Sequence, residues 1–216
     1  MTKLPLPPPT VVPGMRIGLF GGSFNPAHEG HVAVAGEALK RLDLHQVWWL
    51  VSPQNPLKSP DETDDFGKRL AATRALADHP RFIVTDLEKR LGTTNTAQTM
   101  RAMTPLLDRA NFVWIMGADS FATLHRWNNW EEIPHSLPMA VFDRPSHTLA
   151  ALRSKAAHKL APYRVRSEDV AILPVCRAPA WSFVTMRRHE ASSTALRRAR
   201  NRSGAASRPV ALCAGS

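Results

Sequence analysis

The sequence predicts an α/β fold, a mostly parallel sheet with helices on both faces. Short apolar runs recur along the chain, and stretches rich in Ala, Leu and charge separate them. The most distinctive polar turns directly follow apolar runs. In sheets of this kind, ligands bind beyond the carboxyl ends of the strands, where the strand order reverses.

The elements follow in chain order. RIGLF (16–20) has the length of a short buried strand. GGSFNPAHEGH (21–31) is then a strand-to-helix turn, leading into the Ala- and Leu-rich helix VAVAGEALKRL (32–42). QVWWLV (46–51) is a second strand, ending at the loop SPQNPLKSPDETDD (52–65). A helix over 66–77 leads to a third strand, RFIVTD (81–86). TAQTMRAMTPLL (96–107) is helical, with Pro105 predicting a bend or an early end. NFVWIMGADS (111–120) is an apolar strand running into a polar turn. PMAVFDRP (138–145), VAILPV (170–175) and WSFVTM (181–186) supply shorter strands, and SSTALRRAR (192–200) a final helix with Ser and Thr at its start. There are no internal repeats.

A length of 216 residues favours one domain, placed at residues 15–201. The proline-rich stretch 1–14 reads as a disordered leader and 202–216 as a flexible tail. Lys and Arg total 28 against 18 Asp and Glu, a net charge of +10 that should attract anions. Nucleic acid, lipid headgroups and phosphorylated metabolites all satisfy that charge. Much of the excess sits at 187–189 and 196–202, where a solvated basic tail explains it equally well. The two cysteines, Cys176 and Cys213, form no CxxC spacing, which argues against a disulfide framework or a cysteine zinc site and points to a reducing compartment. Prolines break the N-terminal apolar residues, and no stretch approaches the ~20 apolar residues a membrane span needs. The expected location is cytoplasmic, with no membrane partner.

The turn at 21–31 carries the most chemistry. Gly21 and Gly22 let the backbone turn tightly and approach a ligand. Ser23 and Asn25 can bond locally to backbone groups, and Pro26 stiffens the turn. Free N–H groups at the start of the following helix suit a phosphate. His28 and His31 stand three apart, on one face of the first helical turn, where imidazoles can donate to phosphate oxygens as charge develops. The pattern is neither GxxxxGK[ST] nor GxGxxG. From this chemistry alone, phosphate binding, a metal site and a surface cap all stay open.

GGSFNPAHEGH resembles the nucleotidyltransferase signature GG(T/S)FDPxHxGH, with Asn25 in place of the more usual Asp. SSTALR (192–197) resembles the second signature, ISSTxIR, with Ala191 where Ile is usual. Between them SPQNPLK, TNTAQT (94–99), MGADS (116–120) and FDRP (142–145) resemble further blocks of one branch, the bacterial nicotinate-nucleotide adenylyltransferases. The resemblance spans roughly residues 15–200.

The resemblance implies a Rossmann-like fold and direct attack of nicotinate mononucleotide phosphate on the α-phosphorus of ATP, with Mg²⁺ accompanying the triphosphate and no metal site of the protein's own. It implies that His28 and His31 stabilise the α-phosphate in the transition state. Gly21, Gly22, Ser23 and Phe24 would line the ATP phosphates, with Lys58 and Arg144 as further phosphate contacts. Ser192, Ser193 and Thr194 would bind the β- and γ-phosphates, Arg197 adding charge. Gly117 and Asp119 would lie by the ATP, Asp119 accepting from ribose or adenine donors. Trp127, in LHRWNNW, would stack on the nicotinate ring, with backbone N–H groups near Thr94, Asn95, Thr96 and Trp127 holding its carboxylate. The bland alternatives are a core tryptophan, surface charges and a plain helix cap.

Nicotinamide mononucleotide and phosphopantetheine adenylyltransferases are the nearest enzymatic rivals. A class I aminoacyl-tRNA synthetase shares HxGH, but 216 residues leave little room for an anticodon-binding domain. A basic nucleic-acid-binding protein accounts for the charge but for neither the glycines nor the histidine pair, and no nucleic-acid-binding signature supports it.

Overall fold

The computed structural model describes residues 9–53, 63–144 and 146–186. Six parallel strands form one sheet: β1 (Arg16–Gly22), β2 (Gln46–Val51), β3 (Phe82–Thr85), β4 (Asn111–Gly117), β5 (Met139–Phe142) and β6 (Trp181–Val184). Their order is β3-β2-β1-β4-β5-β6. The chain builds outward from β1 in one direction through β3, then returns to β1's other side with β4. The strand order therefore reverses between β1 and β4, and a crevice at their carboxyl ends is the expected ligand site.

The helices are α1 (Glu29–Arg41), α2 (Phe66–Leu76), α3 (Leu87–Leu91), α4 (Thr96–Leu107), α5 (Ala118–Thr123), α6 (Glu132–Ser136), α7 (Thr148–Leu152) and α8 (Lys155–Lys159). The strands are apolar along their length because both faces are covered. Ile17, Leu19, Trp48, Leu50, Trp114 and Met116 pack on one face with α4, α5 and α6. Phe20, Val47, Trp49, Val51, Val113 and Ile115 pack on the other with α1. The adjacent residues Trp48 and Trp49 thus anchor opposite layers, as the two-residue period of a strand requires. Mostly parallel pairing and two-sided cover agree with the expectation from the sequence.

Several boundaries differ. The expected strand at 170–175 is part of a 3-10 helix, Ser167–Val175. Val170 and Leu173 are buried while Ile172 and Val175 are exposed, so the buried side recurs every third residue, the 3-10 period. The run's composition is that of a buried strand, and only its burial reveals the turn. α1 begins at Glu29, ahead of the expected start at Val32, because His28 caps it. α4 continues through Pro105 to Leu107; Pro105 and Arg101 lie on its exposed side, where water can serve the carbonyl that proline leaves unbonded. Val11 is buried in the core, so packing reaches into the stretch read as a leader. The helix expected at 192–200 and the tail lie outside the described residues. Among the described residues no helix is long and apolar enough to cross a membrane.

Candidate active site

At the carboxyl end of β1 the backbone is forced close to its neighbours. A Cβ on Gly21 would come within 2.7 Å of the Trp114 ring, which β4 presents on the same face. Phe24 adopts a positive φ of 43°, and its side chain is buried. Such a conformation costs roughly 1–3 kcal/mol and persists where packing over-determines it. Here the ring lies edge-on to Phe20 with centroids 5.5 Å apart and sits 5.2 Å from Trp49. Phe24 therefore serves the turn through its backbone, while its ring forms a wall beside His31, centroids 5.1 Å apart. Ser52 N donates to the Gly22 carbonyl at 2.9 Å, joining the loop after β2 to the same edge.

His28 and His31 form the cap of α1. The N–H of Gly30 donates to His28 Nδ1 at 3.1 Å, and the N–H of His28 donates to His31 Nδ1 at 3.2 Å. An amide can only donate, so each Nδ1 presents a lone pair and each neutral ring carries its proton on Nε2. The two rings lie 3.8 Å apart at a tilt of 35°. Local capping thus gives both imidazoles one tautomer and one orientation, with Nε2–H as the donor. The N-cap and N3 positions are three residues apart, which is the HxGH spacing, but histidine in both places departs from the usual capping-box residues and the cap emerges from the structure.

Across the crevice, Gly117 closes β4 and Asp119 lies in the first turn of α5. Arg144, following β5, donates from Nη1 to Asp119 Oδ2 at 3.3 Å. Asp119 Oδ1 is buried and has no hydrogen-bond partner among the described residues. A Cβ on Gly117 would meet Asp119 Oδ1 and approach Arg144 Cδ to 3.2 Å, so glycine makes room for this pair.

Asn95 caps α4, accepting from Gln98 N at 3.1 Å. The N–H and hydroxyl of Thr94 both donate to Gln98 Oε1, at 3.1 and 3.0 Å. Trp127 is half-buried against the core, and its N–H donates to the Leu124 carbonyl at 2.9 Å. Two of the backbone donors expected for a carboxylate are therefore engaged within the protein. Thr96 opens α4, whose first-turn amides precede the ladder that begins with Thr99 N donating to Asn95 O. Arg101 Nε lies 3.4 Å from Glu132 Oε2, linking α4 to α6 and so to the segment bearing Trp127.

Two buried charged residues escaped the sequence reading. Arg69, on α2, donates to the carbonyls of Ser23, Ser52, Pro53 and Asp64 at 2.6 to 2.9 Å. Burial pushes its guanidinium below its usual range, opposed by Asp65 and Asp64. Glu88, on α3, is pushed up to about 7 by burial, while Thr99 and Ser52 hydroxyls bonding its carboxylate oppose the shift. Basic and acidic residues in helical stretches ordinarily mark solvated faces, and no local pattern distinguishes these two.

Lys58, Ser192, Ser193, Thr194 and Arg197 lie outside the described residues. Gly21, Gly22, Ser23, Phe24, His28 and His31 gather at the end of β1, and Gly117, Asp119 and Arg144 at the ends of β4 and β5. Among the described residues no group of three or more His, Cys, Asp or Glu could hold a metal ion.

A family model described as cytidylyltransferase-like matches residues 19–199. The chain belongs to the cytidylyltransferase-like family. Within this family it is 51% identical over 183 residues to a protein of a Caulobacter species named "probable nicotinate-nucleotide adenylyltransferase", covering 85% of this chain and 97% of that one. A Rhizobium johnstonii protein of the same name is 47% identical over 192 residues, 89% of this chain and 96% of its own. The motif resemblance to that branch of the cytidylyltransferase-like family is borne out. The fold is similar to that of Plasmodium falciparum nicotinic acid mononucleotide adenylyltransferase complexed with NaAD. That match has a TM-score of 0.64 at 16% identity and covers 85% of this chain and 83% of that one.

Proposed function

We propose that this chain is a nicotinate-nucleotide adenylyltransferase, transferring AMP from ATP to nicotinate mononucleotide to give nicotinate adenine dinucleotide and pyrophosphate. The observation that carries the chemistry is the paired cap, in which backbone amides hold both histidine Nδ1 atoms and leave Nε2–H as the donor of each ring. A phosphate oxygen of the mononucleotide attacks the α-phosphorus, and the bond to the bridging oxygen of the β-phosphate breaks. Charge rises on the α-phosphate oxygens, where His28 and His31 donate. Oriented donors of this kind are each worth roughly 10²–10³-fold in rate. The protein otherwise supplies position, so no covalent intermediate is needed.

The glycines at 21 and 22 admit the phosphates to the backbone of the turn. Arg144 and Lys58 add positive charge, and Asp119 Oδ1 accepts from a ribose or adenine donor. Ser192, Ser193, Thr194 and Arg197 hold the β- and γ-phosphates, a role resting on the second signature alone. Mg²⁺ enters with ATP as part of the substrate, its coordination completed by phosphate oxygens and water. Trp127 stacks on the pyridine ring, and the first-turn amides of α4, Thr96 foremost, receive the carboxylate. Asn95 and Thr94 shape that turn through Gln98. The cytoplasm is the assigned compartment.

The test is product formation by the purified full chain from Mg-ATP and nicotinate mononucleotide. Equal amounts of pyrophosphate and dinucleotide are expected, each requiring both substrates. Pyrophosphate without dinucleotide, or neither from folded protein that binds ATP, contradicts the assignment.

A further inference from the structure

We propose that Arg69 is a positioning residue for the transfer, holding the Ser23–Phe24 peptide in the orientation that shapes the turn before the histidines. This rests on the adenylyltransferase reading of the site. Arg69 is 2% exposed, and its side chain gathers carbonyls from three separate segments. Nη1 donates to Ser23 at 2.6 Å and Ser52 at 2.8 Å, Nη2 to Pro53 at 2.7 Å and Nε to Asp64 at 2.9 Å. Its Cζ also lies 5.5 Å from the centroid of the Phe66 ring. The fork of a guanidinium can serve several acceptors at once, which an ammonium on a flexible stem cannot match.

The mechanical consequence follows from peptide planarity. Drawing the Ser23 carbonyl toward Arg69 turns the N–H of Phe24 to the opposite side of the same plane. That orientation places Phe24 at φ 43°, a costly value for a bulky residue. Rotating this peptide by half a turn would return Phe24 to negative φ, so the local backbone favours the flip and Arg69 opposes it. The same guanidinium fixes Ser52, whose hydroxyl bonds the Glu88 carboxylate. Glu88 in turn accepts from Thr99 Oγ1 at 3.4 Å, and Thr99 meets Thr93 Oγ1 at 2.8 Å, beside the turn that opens α4. One buried cation therefore references the phosphate-side turn and, through Ser52, the acceptor-side turn to a common point.

The experiment compares the parental chain with Arg69→Met and Arg69→Lys. Arg69→Met is expected to lower kcat by about 10²-fold, the scale of a small misplacement at a reacting centre. KM for both substrates should change far less, and free guanidinium ion should restore part of the lost rate. Arg69→Lys, which keeps a buried cation, should fall between the two and covers the case in which Arg69→Met does not fold. A crystal structure of whichever variant folds supplies a readout independent of activity: φ of Phe24 should become negative. Parental kcat in the variant, or Phe24 still at positive φ, overturns the proposal. An inactive parental chain overturns the adenylyltransferase reading instead, and the Phe24 conformation still decides the role of Arg69.

Discussion

The backbone N–H of His28 donates to Nδ1 of His31 at 3.2 Å, so the first histidine of the turn orients the second. Capping and the proposed chemistry are thereby separable within each ring, because Nδ1 accepts from the helix start and the proposed donor to phosphate is Nε2. His31→Ala should lower kcat by roughly 10²–10³-fold, as expected for one lost donor. The accompanying loss of stability should be near 1 kcal/mol, the usual value of a cap. His28→Asp retains an N-cap acceptor for Gly30 N but removes the Nε2–H and adds a negative charge. It should melt close to the parental temperature while losing activity. Initial rates of pyrophosphate release, read beside thermal unfolding, test both; parental turnover in either variant contradicts the role.

Gly117 is the neighbour that the Asp119–Arg144 pair requires. In Gly117→Ala the added methyl meets Asp119 Oδ1 and crowds Arg144 Cδ, a clash on the scale of 1–3 kcal/mol. The pair lies on the ATP side of the proposed site, so KM for ATP should rise about tenfold, equivalent to 1.4 kcal/mol. KM for the mononucleotide should move little. Equal changes in both would detach this pair from ATP.

Trp127 is half-buried, with its ring packed partly on the core. Stacking on a pyridine ring adds about 0.5–1.5 kcal/mol beyond area burial. Trp127→Ala should therefore raise KM for nicotinate mononucleotide up to about tenfold and leave KM for ATP nearly unchanged. Steady-state kinetics with each substrate varied in turn decide this, and an effect confined to ATP would remove Trp127 from the acceptor side.

Glu88 makes stability depend on pH. Its folded-state value of about 7 exceeds the ordinary 4.5, so the folded protein binds this proton more tightly than the unfolded chain does. The corresponding stabilisation is complete below pH 4.5 and is lost as pH rises through 7. The shift corresponds to about 3 kcal/mol. Glu88→Gln stays neutral throughout, so its stability relative to the parental protein should grow by about that amount between pH 4 and pH 8. Denaturant unfolding at both pH values measures the difference; a constant offset would contradict it.

The legible parts of the molecule are those where a local pattern and a tertiary demand coincide. QVWWLV reads as a buried strand because both its faces meet cover, whereas α1 starts at Glu29, three residues ahead of the expected start, because a histidine cap is not among the usual Ser, Thr, Asp or Asn caps. VAILPV fails because its composition suits a strand, while its burial at Val170 and Leu173 follows a three-residue period. Arg69 and Glu88 are invisible for a related reason. Their partners are carbonyls and hydroxyls from distant segments, and no local spacing encodes those. Gly117 and Asp119 follow an apolar run that reads as a strand and lie at its carboxyl end, but their contact with Arg144, which follows β5, emerges only from the fold.

The most direct test of the whole reading measures pyrophosphate release from Mg-ATP with nicotinate mononucleotide and nicotinamide mononucleotide in parallel. The two acceptors differ only in carboxylate against amide, the group assigned to the first-turn amides of α4. A kcat/KM strongly favouring the acid is predicted. Preference for the amide would contradict the assignment.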